Sequence, residues 1–245
     1  VIASPASASE RWITHPALQS ADPRKPAALQ FRREVGIKRV PVQMLVRVSA
    51  DNRYVLFVNG KRVGAGPSRG DLSHWRTRLI DIAPYLHVGR NVIAAQVWND
   101  GAVSGLSQIS AKSGFVLTAA EASLGELIDS GPAWRVRIDG SRAVTSGPAQ
   151  LAKAVGPGKY YAAAPPETHD AALRRDDWLA ATTTATDWVA SVDAVLPGQT
   201  APWTLVVDRL PSMRYQVLPA GNLVRGEGVG ASRFPKAAMT IPAKS

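Results

Sequence analysis

The 245-residue sequence contains no cysteine, few histidines and little that reads as helix. Without cysteine there can be no disulfide, no thiolate metal site and no cysteine nucleophile. The four histidines, His15, His74, His87 and His169, are too far apart for the HxxxH or HExxH spacing of a zinc site. No apolar run approaches the roughly 18 residues of a membrane-spanning helix. The most apolar stretch, around Leu205 to Val207, is broken at once by Asp208 and Arg209, so no membrane insertion is expected. Also missing is any block of five or more like charges, although the formal net charge is +10. The basic residues are dispersed as pairs such as Arg32-Arg33, Lys38-Arg39 and Arg174-Arg175. Dispersed pairs suit a solvated strand face better than a nucleic-acid footprint, and no nucleic-acid partner is expected. An acidic polysaccharide or cell surface is a milder expectation from the same charge.

Catalytic motifs are absent in the same way. Glu121, Glu126, Glu167 and Glu227 lie in no recognisable motif, so no acid/base pair for glycoside hydrolysis can be named. The stretch Gly101 to Gly105 lacks the spacing of a nucleophile elbow. Gly64-Ala-Gly-Pro-Ser-Arg-Gly lacks the lysine and following helix of a phosphate loop. The expected catalytic set is therefore none.

What is present is alternation. In "VQMLVRVSA", Val42, Met44, Val46 and Val48 share one side of a predicted strand. "NRYVLFVNGKRVG" reads as two strands joined at Asn59-Gly60, residues that tolerate the positive φ of a type I′ turn. "LIDIAPYL", "NVIAAQVWND", "GFVLTAA", "AWRVRIDG", "ATDWVASVDAV" and "WTLVVDRLP" continue in short strand-like segments. "LGELIDSG" is expected as a strand paired with "GFVLTAA", and "PAQLAKAVG" as a short helix. Gly64, Gly66 and Pro67 are expected to form a turn tied by an Arg69–Asp71 hydrogen bond. Trp12 and Ile13 should be pinned to a core, as should most of Trp75, Trp98, Trp134, Trp178 and Trp188. Many short strands at intervals of about 8 to 12 residues predict an all-β chain, a jelly-roll or galactose-binding-like β-sandwich. The expected organisation is an extended lead-in over 1–28, the sandwich over 29–215, and a linker or the start of another domain over 216–245.

Asp51-Asn52 and Asn99-Asp100 each set two side-chain oxygens at a strand end. If the strands are adjacent, both pairs reach one rim. Hard oxygen ligands of this kind suit calcium, and together with an aromatic face they suit a sugar. Asx pairs also simply form turns.

At these residues the sequence resembles a family. "ADNRYVLFVNGKRVGAGPSRGDLSHW" followed by "IDIAPYLHVGRNVIAAQVWNDG" is similar to the N-terminal β-sandwich module of bacterial α-L-rhamnosidases. "FRREV", "AWRVR" and "ETHDAALRRDDWLAATTTATDW" extend the similarity over about Arg11 to Pro211. The resemblance implies a non-catalytic carbohydrate-binding or bracing module of an enzyme that hydrolyses terminal α-L-rhamnosides. Its partners would be a rhamnose-containing carbohydrate and a catalytic (α/α)6 barrel of the same polypeptide. It also implies a rim site for rhamnose at Asp51, Asn52 and Asn99, with calcium at Asp51, Asn52, Asn99 and Asp100; Arg69 and Trp98 join the sugar site on their guanidinium and aromatic chemistry. A free-standing lectin or adhesin is the alternative. Together with the small, polar beginning "VIASPASASE", it suggests a periplasmic or extracellular location.

Overall fold

The computed structural model describes residues 10–23, 25–105, 107–144, 165–175, 177–180, 186–211, 215 and 216. Compact packing divides the chain into one unit over 1–209 and a second over 210–245. Among its described residues the first has mainly strands as regular structure, with a few short helical turns, because its apolar residues recur with a period of two.

Among the described residues, one six-stranded sheet runs in the order β13 (Val192–Asp193), β1 (Ile13–Thr14), β8 (Gly114–Ala119), β3 (Leu45–Asp51), β6 (Trp75–Asp81) and β14 (Leu205–Val207). The other runs β12 (Val189–Ala190), β9 (Arg135–Ile138), β2 (Ala27–Ile37), β7 (Gly89–Asn99), β4 (Arg53–Val58) and β5 (Lys61–Gly66). A two-stranded ribbon joins β10 (Arg142–Val144) to β11 (Glu167–His169). Pairing is antiparallel except where β14 joins β6 in parallel. This is the all-β sandwich that the alternation predicts.

The core lies between the sheets. Leu29, Phe31, Tyr54, Leu56 and Val97 from one sheet meet Val46, Val48, Phe115 and Leu117 from the other. Phe115 is the central contact, 5.1 Å from Phe31 and 5.4 Å from Trp134 between ring centroids. A second cluster, Trp12, Trp75, Val116 and Trp203, is separate from this core. Trp12 and Ile13 are buried as expected. At Asn59 and Gly60 φ is +50° and +77°, and the hairpin turn has the predicted sign.

Four expectations are corrected. Residues 125–128 form a short helix (Gly125–Ile128), and not a strand. Val42 precedes β3 and is fully exposed, so it does not share the inward side with Met44, Val46 and Val48. Gly64 and Gly66 lie within β5 and not in a turn; a Cβ there would sit 2.5 Å from Ile80 Cδ1 or 3.2 Å from the Tyr54 ring. Their lack of a side chain therefore serves close packing. Two of the dispersed arginines are buried: Arg32 donates to the Trp178 carbonyl and to Glu34, and Arg137 donates to Gln30. The helix expected at "PAQLAKAVG" lies outside the described residues.

Truncating Phe115 removes the ring that joins both sheets to Trp134. Phe115→Ala should lower unfolding free energy by about 3–5 kcal/mol, whereas Leu79→Ala, at a half-exposed position, should change it by about 0.5 kcal/mol or less. Urea denaturation of the two variants checks the contrast.

Candidate functional site

The chain leaves one sheet at Asp51, the last residue of β3, and enters the other at Arg53, the first of β4. Asp51-Asn52 is the corner between them, and the peptide joining these two residues is cis. Asn99 ends β7, the neighbour of β4, and the Asn52 amide donates to the Trp98 carbonyl at 3.1 Å. The two Asx pairs thus meet at one rim, although they end strands of different sheets.

Their side chains close on one another. Asp51 is fully buried. Its Oδ1 accepts from Asn52 Nδ2 at 2.7 Å and from Asn99 Nδ2 at 3.1 Å. Its Oδ2 accepts from the Ala111 amide at 2.7 Å, the Lys112 amide at 3.3 Å and Trp203 Nε1 at 3.0 Å. Asn52 Oδ1 accepts from the Asp100 amide at 3.0 Å, and Asn99 Oδ1 from the Gly101 amide at 2.7 Å. Burial pushes the Asp51 carboxyl above the ordinary carboxylate range, against the opposing pull of hydrogen bonds from Ala111, Ser110, Trp203 and Lys112.

Calcium needs six to eight oxygen ligands with lone pairs to spare. Both Asp51 oxygens are filled by N–H donors, two on Oδ1 and three on Oδ2, and the Asn52 and Asn99 amide oxygens each accept one already. As arranged, the set does not fit the ion. Among the described residues no three acidic or histidine side chains converge as metal ligands.

The other predicted residues lie beside this knot. Trp98 is half-buried, and the Arg142 guanidinium sits 4.4 Å over its ring. Arg69 is exposed and donates to Ser107 Oγ. The expected Arg69–Asp71 bond is not formed: Asp71 instead accepts from the Ser73 and His74 amides and caps a short 3-10 turn. The donors at Ala111, Lys112 and Trp203 carry no local signal in the sequence.

No family model matches the chain. It is 29% identical over 97 residues to a curated α-L-rhamnosidase of Streptomyces avermitilis, a match covering 39% of this chain and 9% of that protein. The GH78-family rhamnosidase of Bacillus sp. GL1 superposes with a TM-score of 0.66 at 24% identity, covering 84% of this chain and 20% of that one. The α-L-rhamnosidase of Dictyoglumus thermophilum gives 0.61 at 16% identity, covering 85% and 23%. The chain resembles the β-sandwich portion of α-L-rhamnosidases. It spans under a quarter of the length of each of these rhamnosidases.

In this rhamnosidase-like sandwich, exchanging the Asp51 carboxylate for an amide turns an amide group towards N–H donors. Asp51→Asn should lower stability by about 2–4 kcal/mol, because a buried donor left without an acceptor costs about 1–3 kcal/mol. Thermal and urea unfolding measure it. The pH dependence has a definite sign. Asp51 binds its proton more tightly folded than unfolded, so its contribution to stability falls as pH rises from the ordinary carboxylate value through the raised folded one. Urea unfolding of both proteins across that interval isolates the contribution: the stability of the wild type relative to Asp51→Asn should fall as pH rises, while the slopes from other shifted carboxyls, Glu10 and Asp100 among them, are common to both.

Proposed function

We propose that this chain is a non-catalytic module of a longer α-L-rhamnosidase polypeptide, which hydrolyses terminal α-L-rhamnosides through residues elsewhere. The supporting observation is the superposition of 84% of this chain on only 20% of a rhamnosidase, at a TM-score of 0.66. The arrangement within the sandwich favours bracing as the module's primary task. Its rim is closed by Asp51, whose hydrogen bonds are spent inside the protein. A sealed corner of this kind holds two sheets in fixed relation and gives a neighbouring domain a stiff surface.

Hydrolysis of p-nitrophenyl α-L-rhamnoside separates this reading from a self-sufficient enzyme. The 245-residue chain alone should release no nitrophenol, and a polypeptide of full rhamnosidase length carrying it should. In that longer polypeptide Asp51→Asn should lower the thermal midpoint and leave KM for the rhamnoside unchanged. Turnover by the chain alone would overturn the proposal. Calorimetry of the chain with calcium should give no binding heat.

A further inference from the structure

Immediately beside the sealed knot lies a corner of opposite character. Arg53 follows Asn52 and is the cross-strand partner of Trp98, so both side chains leave the sheet on the same face. Arg53 Nη1 donates to the Pro67 carbonyl at 2.8 Å, which holds its guanidinium against the loop that carries Arg69. Arg69 is anchored separately, by Ser107. Arg142 completes the group from β10, stacked on Trp98 and ion-paired with Glu167.

The charges do not balance. Among the described residues, three guanidiniums, Arg53, Arg69 and Arg142, stand at this corner with two carboxylates, Asp100 and Glu167, an excess of one positive charge. Glu167 is engaged by Arg142. Asp100 lies within electrostatic reach of Arg142 and Arg53. Among the described residues neither Arg53 nor Arg69 has a carboxylate in ion-pair contact. Each is held instead by a neutral oxygen, a carbonyl or a hydroxyl, so their remaining N–H groups are not committed to an anion of the protein. Burial and the neighbouring Arg69 both hold the Arg53 guanidinium below its ordinary value. An anion placed between the two would relieve that repulsion.

We propose that this corner binds the carboxylate of a uronic acid residue, clamped between Arg53 and Arg69. Guanidinium forks match the planar carboxylate in geometry. The single excess positive charge suits a monoanion better than a phosphate dianion. Half-buried Trp98, with the Arg142 guanidinium over its ring, borders the clamp and backs it with a fixed cation. That the carboxylate is a sugar's rests on the rhamnosidase-module reading above. The excess of guanidinium does not.

The test uses the 245-residue chain in calorimetry at low ionic strength with trigalacturonate, with L-rhamnose and with inorganic sulfate. Trigalacturonate should bind, its affinity should fall about tenfold in Arg69→Gln, and high salt should weaken it further. Rhamnose and sulfate should bind far more weakly. Arg69 is exposed, so its replacement leaves the fold intact; Arg53→Lys, which keeps the charge and loses the fork, should also weaken binding. Absence of trigalacturonate heat, unchanged affinity in Arg69→Gln, or sulfate binding as tight as trigalacturonate would each overturn the clamp. Rhamnose binding without uronate binding would overturn it too. Failure of the module reading would be seen separately, in rhamnoside hydrolysis by the chain alone.

Discussion

A buried carboxylate without a cationic partner is the constraint around which this rim is organised. Asp51 loses its hydration completely, and in place of a lysine or arginine it receives N–H dipoles. An isolated ionised carboxylate in such a place would cost several kcal/mol. The donors come from four separate stretches of chain: Asn52, Asn99, the Ala111-Lys112 amides and the Trp203 indole. Each is useful only when the others are in place, so the carboxylate couples the corner of β3 and β4, the end of β7 and the segment before β14. Trp203 extends the coupling outward. It stacks on Trp12 with ring centroids 4.0 Å apart and meets Trp75 edge-on at 6.5 Å.

The same economy explains the basic composition. Several arginines act as staples to main-chain carbonyls and not as free surface charge. Arg32 reaches the Trp178 carbonyl, Arg33 the Leu127 carbonyl and Arg53 the Pro67 carbonyl. A guanidinium presents five N–H groups on a planar fork, so it can satisfy a carbonyl and still pair with a carboxylate, as Arg32 does with Glu34. A net charge of +10 is thus partly a by-product of pinning segments onto sheet faces. This is why it arises without the clustered charge of a nucleic-acid binder.

The sandwich could be read from the sequence wherever two local signals agreed. At Asn59-Gly60 the turn chemistry and the flanking alternation point to the same hairpin, and the backbone adopts it. Signals failed where tertiary packing outweighed them. Gly64 and Gly66 look like turn formers, but what they avoid is contact with Ile80 of the facing sheet and Tyr54 of the neighbouring strand. Residues 125–128 carry leucine and isoleucine suited to either state, and the chain closes them into one helical turn under Arg33. Asx residues at two strand ends imply a shared rim only if the strands are adjacent; β3 and β7 lie in different sheets, and Asp51 meets Asn99 because Asn52 carries the chain from one sheet to the other. The amide donors were not legible, since a backbone N–H looks the same in every residue but proline.

The sealed knot and the charged corner are consecutive along both strands. Asn52 belongs to the knot and Arg53 to the corner; Asn99 belongs to the knot, and its neighbours Trp98 and Asp100 to the corner. Alternation along a strand sends successive side chains to opposite faces, so burying Asn99 turns Trp98 outward, where Arg142 stacks on it. The Asn52 side chain fixes the Asp100 amide, and its backbone amide fixes the Trp98 carbonyl. The residues that could meet a ligand are therefore positioned by hydrogen bonds that no ligand can reach. Trp98 and Asp100 are thus set by the knot, whereas exposed Arg69, held only by Ser107, lies outside its reach.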